Sequence, residues 1–370
     1  MRRTPPLLAA VACAALVSAG CHDKRGGRGG TRGAMHPPAG FTAASIGVGS
    51  NHVCAREGDG TVWCWGRDNG YGQLGDGTLD VHGEPRVVAG VSDAIDLAVG
   101  FQHACALLRG GEVRCWGGNQ DGQLGDGSRR QHASPAAVLA LPTARAIFAG
   151  PLTTCAEDTG GATWCWGRLP AVGTEPDAWG GSYPEPRPRR VAGLPAGLKT
   201  MSVGFSHLCA IPADGLLRCW GSGFLGEMGD GTDRSRTVAD LVPGLPAASV
   251  TSAGENFSCA IAGGELMCWG FGITSSGAWS ASTGCDRSPC KVPSPSGLTA
   301  LAGSRALCAV DAAGGVECIG SGGVIPSGAP TTWLGPVLAP VPLAVHAIAV
   351  SLGPTFGCAL GDTGRVACFD

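Results

Sequence analysis

One dipeptide step constrains this chain more than any other feature. Cys-Ala recurs at Cys54, Cys105, Cys155, Cys209, Cys259, Cys308 and Cys358, at intervals of 51, 50, 54, 50, 49 and 50 residues. Self-similarity at a period near 50 is the signature of a repeat architecture, in which no unit buries its apolar face without its neighbours. The usual estimate of two or more domains for 370 residues therefore gives way to one body of seven units over 41–370.

Each unit reads as four short strands. The first follows a proline and is rich in valine, as in Pro85-Arg86-Val87-Val88. The second ends at a glycine five residues before the first cysteine: Gly49, Gly100, Gly150, Gly204, Gly254, Gly303 and Gly353. The third carries Cys-Ala, and the fourth carries the second cysteine, usually as Cys-Trp-Gly. Turns such as Gly58-Asp59-Gly60 and Ala213-Asp214-Gly215 join the last two, because glycine and aspartate supply the backbone freedom of a short hairpin turn. With Gly at 63 residues and charged residues at only 15%, the composition suits many short strands.

The second cysteines are Cys64, Cys115, Cys165, Cys219, Cys268, Cys318 and Cys368. Six pairs enclose nine residues, and Cys259 and Cys268 enclose eight. Residues so spaced sit opposite one another in a tight hairpin, where non-hydrogen-bonded positions bring the Cβ atoms near disulfide range. The expectation is one disulfide within each hairpin, with reduced buried cysteines as the alternative. No pair has the two-residue gap of a zinc knuckle or a thioredoxin-like motif. Each bridge would close a loop of ten residues or fewer, a gain of roughly 2–3 kcal/mol at most.

After the second cysteine stands Trp65, Trp116, Trp166, Trp220 or Trp269, then Ile319 and Phe369 in the last two units. One large apolar side chain per repeat at a fixed place reads as packing between neighbouring sheets. A row of carbohydrate-stacking aromatics is the competing reading. His52, His103 and His207 occupy a second fixed place, three residues after the glycine, where the other units have Thr153, Phe257, Ala306 and Phe356. A position that ranges from polar to apolar reads as structural, not as a ring of metal ligands.

The amino terminus differs from the body. Residues 1–40 carry +5, so the rest carries −8 within a total of −3. An acidic body disfavours a nucleic-acid surface. Met1-Arg2-Arg3 followed by the apolar run Leu7–Val17 reads as a leader over 1–20, too short to span a bilayer as a lone helix. It ends in Ser18-Ala19-Gly20-Cys21, which resembles a bacterial lipobox with serine where leucine is usual. Ordinary signal-peptide cleavage nearby is the alternative. Losing Cys13 with the leader and Cys21 to lipid leaves 16 of the 18 cysteines, an even number for pairing in an oxidising compartment. Residues 21–40 read as a Gly/Arg-rich tether.

The motifs Gly-x-x-His-x-Cys-Ala, Asp-Gly-x-Val-x-Cys-Trp-Gly and Gly-x-Gly-Gln-Leu-Gly-Asp-Gly resemble the repeats of the regulator of chromosome condensation family across about 41–370. The resemblance is strong in repeats 1, 2 and 4 and looser in the others. Gly72-Gln73-Leu74-Gly75 and Gly122-Gln123-Leu124-Gly125 match, and repeat 4 has Gly226-Glu227-Met228-Gly229. The resemblance implies an all-β fold, a seven-bladed β-propeller of four-stranded blades. Whether residues 36–48 close the ring on blade seven is open at this level.

Two insertions depart from the repeat. Residues 168–190 form a Pro-rich stretch with Trp179 and Tyr183. Residues 271–297 hold Trp279 and an extra cysteine pair, Cys285 and Cys290. Loops outside the repeat rule are where such scaffolds carry function, so Trp179, Tyr183 and Trp279 are candidate partner-binding residues. Decoration that packs on itself is the equal alternative. The chain has no Gly-x-Ser-x-Gly elbow, His-Glu-x-x-His, Walker loop or dinucleotide fingerprint. Asp76-Gly77, Asp126-Gly127 and Asp230-Gly231 lack calcium-loop spacing and read as turns.

The expectation is an exported, lipid-anchored, non-catalytic protein-binding propeller at the bacterial cell envelope. It is expected to be a monomer with no cofactor, no metal and no nucleic-acid partner, touching membrane only through its anchor. The runner-up is a secreted inhibitor similar to β-lactamase inhibitor protein II. Guanine-nucleotide exchange, the activity of the family's eukaryotic namesake, and a glycan-active enzyme rank below both.

Overall fold

A computed structural model describes residues 41–169, 183–272, 285–320 and 338–369. Cys13, Cys21, Trp179 and Trp279 lie outside them. The described residues form seven antiparallel sheets, six of four strands and the last of three. Each sheet is one blade. Blade one comprises β1 (Ala43–Val48), β2 (His52–Glu57), β3 (Val62–Gly66) and β4 (Arg86–Val87), paired in that order. Blade two repeats this with β5 (Ala94–Val99), β6 (His103–Leu108), β7 (Val113–Gly117) and β8 (His132–Ala137).

The pairing shifts the phase of the repeat by one strand. The valine-rich strand after Pro85 is the outer strand of the preceding blade, with Trp63 opposite Val87 and Cys64 opposite Arg86. The connection before it turns back along its own sheet instead of crossing to the next. A blade therefore begins with the strand that ends at the fixed-offset glycine, and residues 43–48 pair within blade one, not with blade seven. The ring closes by packing and scattered hydrogen bonds. Phe41, Ala43, Val48 and Trp65 share a core cluster with Phe356, Cys358 and Leu360. Ala43 N donates to Gly364 O at 2.9 Å, and Val48 N to Ser351 Oγ at 3.0 Å.

All seven hairpins carry the expected bridge. The paired cysteines face each other in register, with Cα atoms 3.9–4.2 Å apart, the narrow kind of antiparallel position. The shorter Cys259–Cys268 spacing keeps this register because its turn is one residue tighter. Gly263 and Gly264, with φ of 59° and 81°, connect Ala262 to its partner Glu265. Cys285 and Cys290 form an eighth disulfide.

The core lies between blades. Trp116 packs among blade-one residues such as Cys54, Val62, Leu74 and Val88. Trp166 is buried among blade-two residues, and Trp220 and Trp269 repeat the pattern one blade further on each time. Each tryptophan fills the seam behind its own sheet, as expected of a core residue. The five indoles are fully buried, which removes them as carbohydrate platforms.

Candidate functional site

The first strand of each blade ends at its glycine on one face of the ring. That glycine is required by close approach, not by an unusual φ. A Cβ at Gly100 would lie 2.5 Å from Gly150 O, at Gly204 2.7 Å from Gly254 O, and at Gly353 2.1 Å from Gly49 O. The loop that follows links blade to blade. Ser50 N donates to Phe101 O at 2.9 Å, Phe101 N to Pro151 O at 3.2 Å, and Phe205 N to Gly254 O at 3.3 Å. Glu255 N donates to Ser304 O at 2.8 Å, and Thr355 Oγ1 to Ser50 O at 3.1 Å. Pro151 has no N–H to continue this series onto blade four.

At this mouth lies a cavity of about 200 Å³, bounded by residues of blades two to seven. Its walls divide by chemistry. One side is apolar: Val99, Phe101, Pro151, Val203 and Phe205, with the two phenyl rings 6.4 Å apart and tilted by 49°. The other side carries an exposed ion pair, Glu255 Oε2 with Arg305 Nε at 3.2 Å. Phe205 keeps 37% of its surface exposed. A rigid collar with an apolar wall facing a charge pair can seat a protruding side chain of another molecule. The described residues contain no group of three or more His, Cys, Asp or Glu placed to hold a metal ion.

The three histidines lie beneath this rim, and two of them, His103 and His207, bond across to the next blade. His103 Nε2 bonds Thr154 Oγ1 of the next blade at 2.9 Å, and Thr154 donates to Gln123 O at 2.8 Å. Trp166 Nε1 donates to the same carbonyl at 2.9 Å. His207, Ser258, Glu227 and Trp269 repeat the relay with bonds of 2.8, 3.0 and 2.8 Å. In blade one it is cut short: Trp116 Nε1 reaches Gln73 O at 3.1 Å, but Ala104 replaces the hydroxyl residue and both ring nitrogens of His52 lack a partner among the described residues. Burial lowers the pKa of His52 and His207 to about 4 and of His103 to about 3, so all three are neutral at physiological pH.

The Gly-Gln-Leu-Gly segment supplies these carbonyls and fits against the next tryptophan. A Cβ on Gly75, Gly125 or Gly229, where φ is 69–70°, would meet the following indole at 2.7 Å. Trp65 and Trp220 follow repeats that lack the segment, and their Nε1 atoms have no acceptor among the described residues. The Asp-Gly pairs are turns, as read. Asp76 and Asp126 accept from the backbone N of Thr78 and Ser128 and pair with His82 and His132 at 3.1 and 2.8 Å.

Of the candidate partner-binding residues, Tyr183 opens the strand Tyr183–Arg190 and stands opposite Leu169. The strands that flank both insertions end on the mouth face. Arg168 N bonds Leu152 O at 2.9 Å, and Phe271 N bonds Asn256 O at 2.8 Å. The sequence reading missed the mouth residues. Their signal was the residue right after each fixed-offset glycine, where two phenylalanines stand in a register of serine, proline and glutamate.

Models of the regulator of chromosome condensation (RCC1) repeat match residues 43–73, 94–123 and, in a second form, 59–107. Among solved structures the chain is similar to Prp20p from Saccharomyces cerevisiae, with 19% identity, 85% of this chain and 81% of that chain covered, and a TM-score of 0.69. It is also similar to human WBSCR16, with 21% identity, 71% and 70% covered, and a TM-score of 0.59. A third is the CRINKLY WD40 ectodomain of the Arabidopsis thaliana receptor kinase ACR4, with 18% identity, 89% and 96% covered, and a TM-score of 0.53. The chain is thus a seven-bladed propeller whose first two blades carry the RCC1 repeat.

Proposed function

We propose that this propeller is a non-catalytic scaffold that binds a protein partner at its mouth face, exported to the bacterial cell envelope and held there by lipid on Cys21. The observation that carries the binding reading is the mouth itself: a collar locked by inter-blade hydrogen bonds, with Phe101 and Phe205 beside an exposed ion pair. A partly exposed aromatic on a preorganised rim is the usual form of a binding anchor. Prp20p, similar in fold, is described with binding properties toward Gsp1p and histones. Export is supported by the leader-like residues 1–20 and by eight disulfides, which belong to an oxidising compartment. The tether of 21–40 would let the ring stand off the membrane.

The test is a cross-linked pull-down from envelope fractions with the parent protein and a Phe101→Ala/Phe205→Ala variant. A partner captured by the parent and lost by the variant supports the reading. Equal capture moves the site off the mouth. For the anchor, Cys21→Ser should shift the protein from the detergent phase to the aqueous phase, and no shift removes the lipid.

A further inference from the structure

Charge is unevenly spread over the mouth face. The body outside residues 1–40 carries −8, yet one radial strip at the seam of blades two and three is rich in arginine. It begins beside the mouth, where Arg168 N bonds Leu152 O at 2.9 Å. Arg168 is held by Asp121 at 3.0 Å. Further out, Arg129 Nε donates to Gln120 O at 2.6 Å, and Arg130 is exposed beside it. The outer strand of blade three then joins the strip, because Gly127 N bonds Pro186 O at 2.9 Å. This lays Arg187 along Gly127, 3.4 Å from where a Cβ would stand. The carboxylates here are committed: Asp121 to Arg168, Asp126 to Ser128 and His132, and Glu185 to Arg189. Arg129, Arg130 and Arg187 are exposed and have no carboxylate partner among the described residues.

We infer that this strip receives a short acidic segment of the protein partner, lying outward from the mouth across the blade-two/blade-three seam. The inference rests on the mouth reading for its partner but uses different residues. Guanidinium forks match carboxylates with two parallel bonds, and all the strip's cations are arginines. The edge strand holds Pro184, Pro186 and Pro188, which offer no N–H, so side chains must make the contact instead of an added strand. The size of the strip selects the ligand. A long polyanion or a flat anionic bilayer would also meet the acidic remainder of the ring, whereas a segment of a few residues can lie on the strip alone. Exposed pairs add little affinity each, so the strip mainly orients and speeds the encounter.

The probe is a fluorescein-labelled octapeptide of alternating glutamate and alanine, read by anisotropy with the whole protein. Binding is expected in 50 mM NaCl and should weaken several-fold by 200 mM as the pairs are screened. Arg129→Ser/Arg130→Ser/Arg187→Ser should weaken it about tenfold, each exposed pair contributing a factor of about two. The triple Arg→Lys variant should retain part of the binding, and Phe205→Ala all of it. Loss of partner capture in Phe205→Ala with peptide binding intact separates the mouth from the strip. The inference is overturned if the serine variant binds the peptide as tightly as the parent. It is also overturned if heparin or vesicles with about one-third phosphatidylglycerol bind these arginines more tightly than the peptide does.

Discussion

Glu227 stands where two other blades have glutamine, and that difference should make the ring's stability depend on pH. The side chain is buried, with Oε2 accepting from Leu225 N at 2.8 Å, and burial raises its pKa from 4.5 to about 7. Below about pH 4.5 the carboxyl is protonated in both folded and unfolded chains and has no effect. Between about pH 4.5 and 7 the unfolded chain ionises first, so folding stability declines as pH rises. The accumulated loss above pH 7 is at most about 3 kcal/mol, at about 1.4 kcal/mol per pKa unit. Glu227→Gln removes that loss. It also buries an amide, and the equivalent Gln123 Nε2 has no partner, which costs about 1 kcal/mol. The variant should therefore be more stable than the parent by about 1–2 kcal/mol at pH 8 and slightly less stable at pH 4.5. Urea unfolding of the oxidised protein at both pH values reads this directly. An equal difference between variant and parent at both values would refute the reasoning, because it would mean the carboxylate ionises freely in the folded ring.

The interrupted relay in blade one makes a converse prediction. Ala104→Ser should give His52 the hydroxyl partner that Thr154 and Ser258 give His103 and His207, raising stability by about 1 kcal/mol in denaturant unfolding. Thr154→Val should lower stability by about 1–2 kcal/mol, because it leaves His103 and one acceptor bond unmade. Gly100→Ala should destabilise by at least about 2 kcal/mol in a thermal melt, since its Cβ would press on Gly150 O, while Gly58→Ala, with open space around it, should change little. The buried histidines have lowered pKa values, so the unfolded chain binds protons first and stability should fall as pH drops below about 6.5 toward 4. His52→Phe, which copies Phe257 in blade five, should flatten part of that acid limb. Non-reducing peptide mapping should recover Cys105 linked to Cys115 and Cys285 linked to Cys290, and free thiols there would contradict the pairing.

The repeat count, the hairpin staples and the apolar seam were legible in the amino-acid sequence because each is local and recurs in all seven units, the seam as tryptophan in five of them and as Ile319 and Phe369 in the last two. A cysteine ten residues from its partner across a tight Gly- or Asp-containing turn has one sensible register, and the chain states it over and over. The phase of the repeat was not legible. Whether Arg86-Val87 pairs backward with Cys64 or forward with the next blade depends on how residues 67–85 fold back, and a two-residue strand carries no pattern that reports it. The histidine position read as structural from its variety alone, but its partners sit 51 residues away in the next blade.

The sequence by itself determined seven stapled repeat units, since period, turn chemistry and apolar spacing act over neighbouring residues. That the units form a propeller was implied by the resemblance of their motifs, and how the ring closes was left open. Only the tertiary structure decided what the ring presents. Phe101 and Phe205 lie about a hundred residues apart and meet because closure brings alternate blades to one axis. Arg187 reaches the Arg129–Arg130 loop because a glycine N–H of one blade bonds a proline carbonyl of the next. Contacts of that kind follow from the curvature of the closed ring, which no stretch of fifty residues contains.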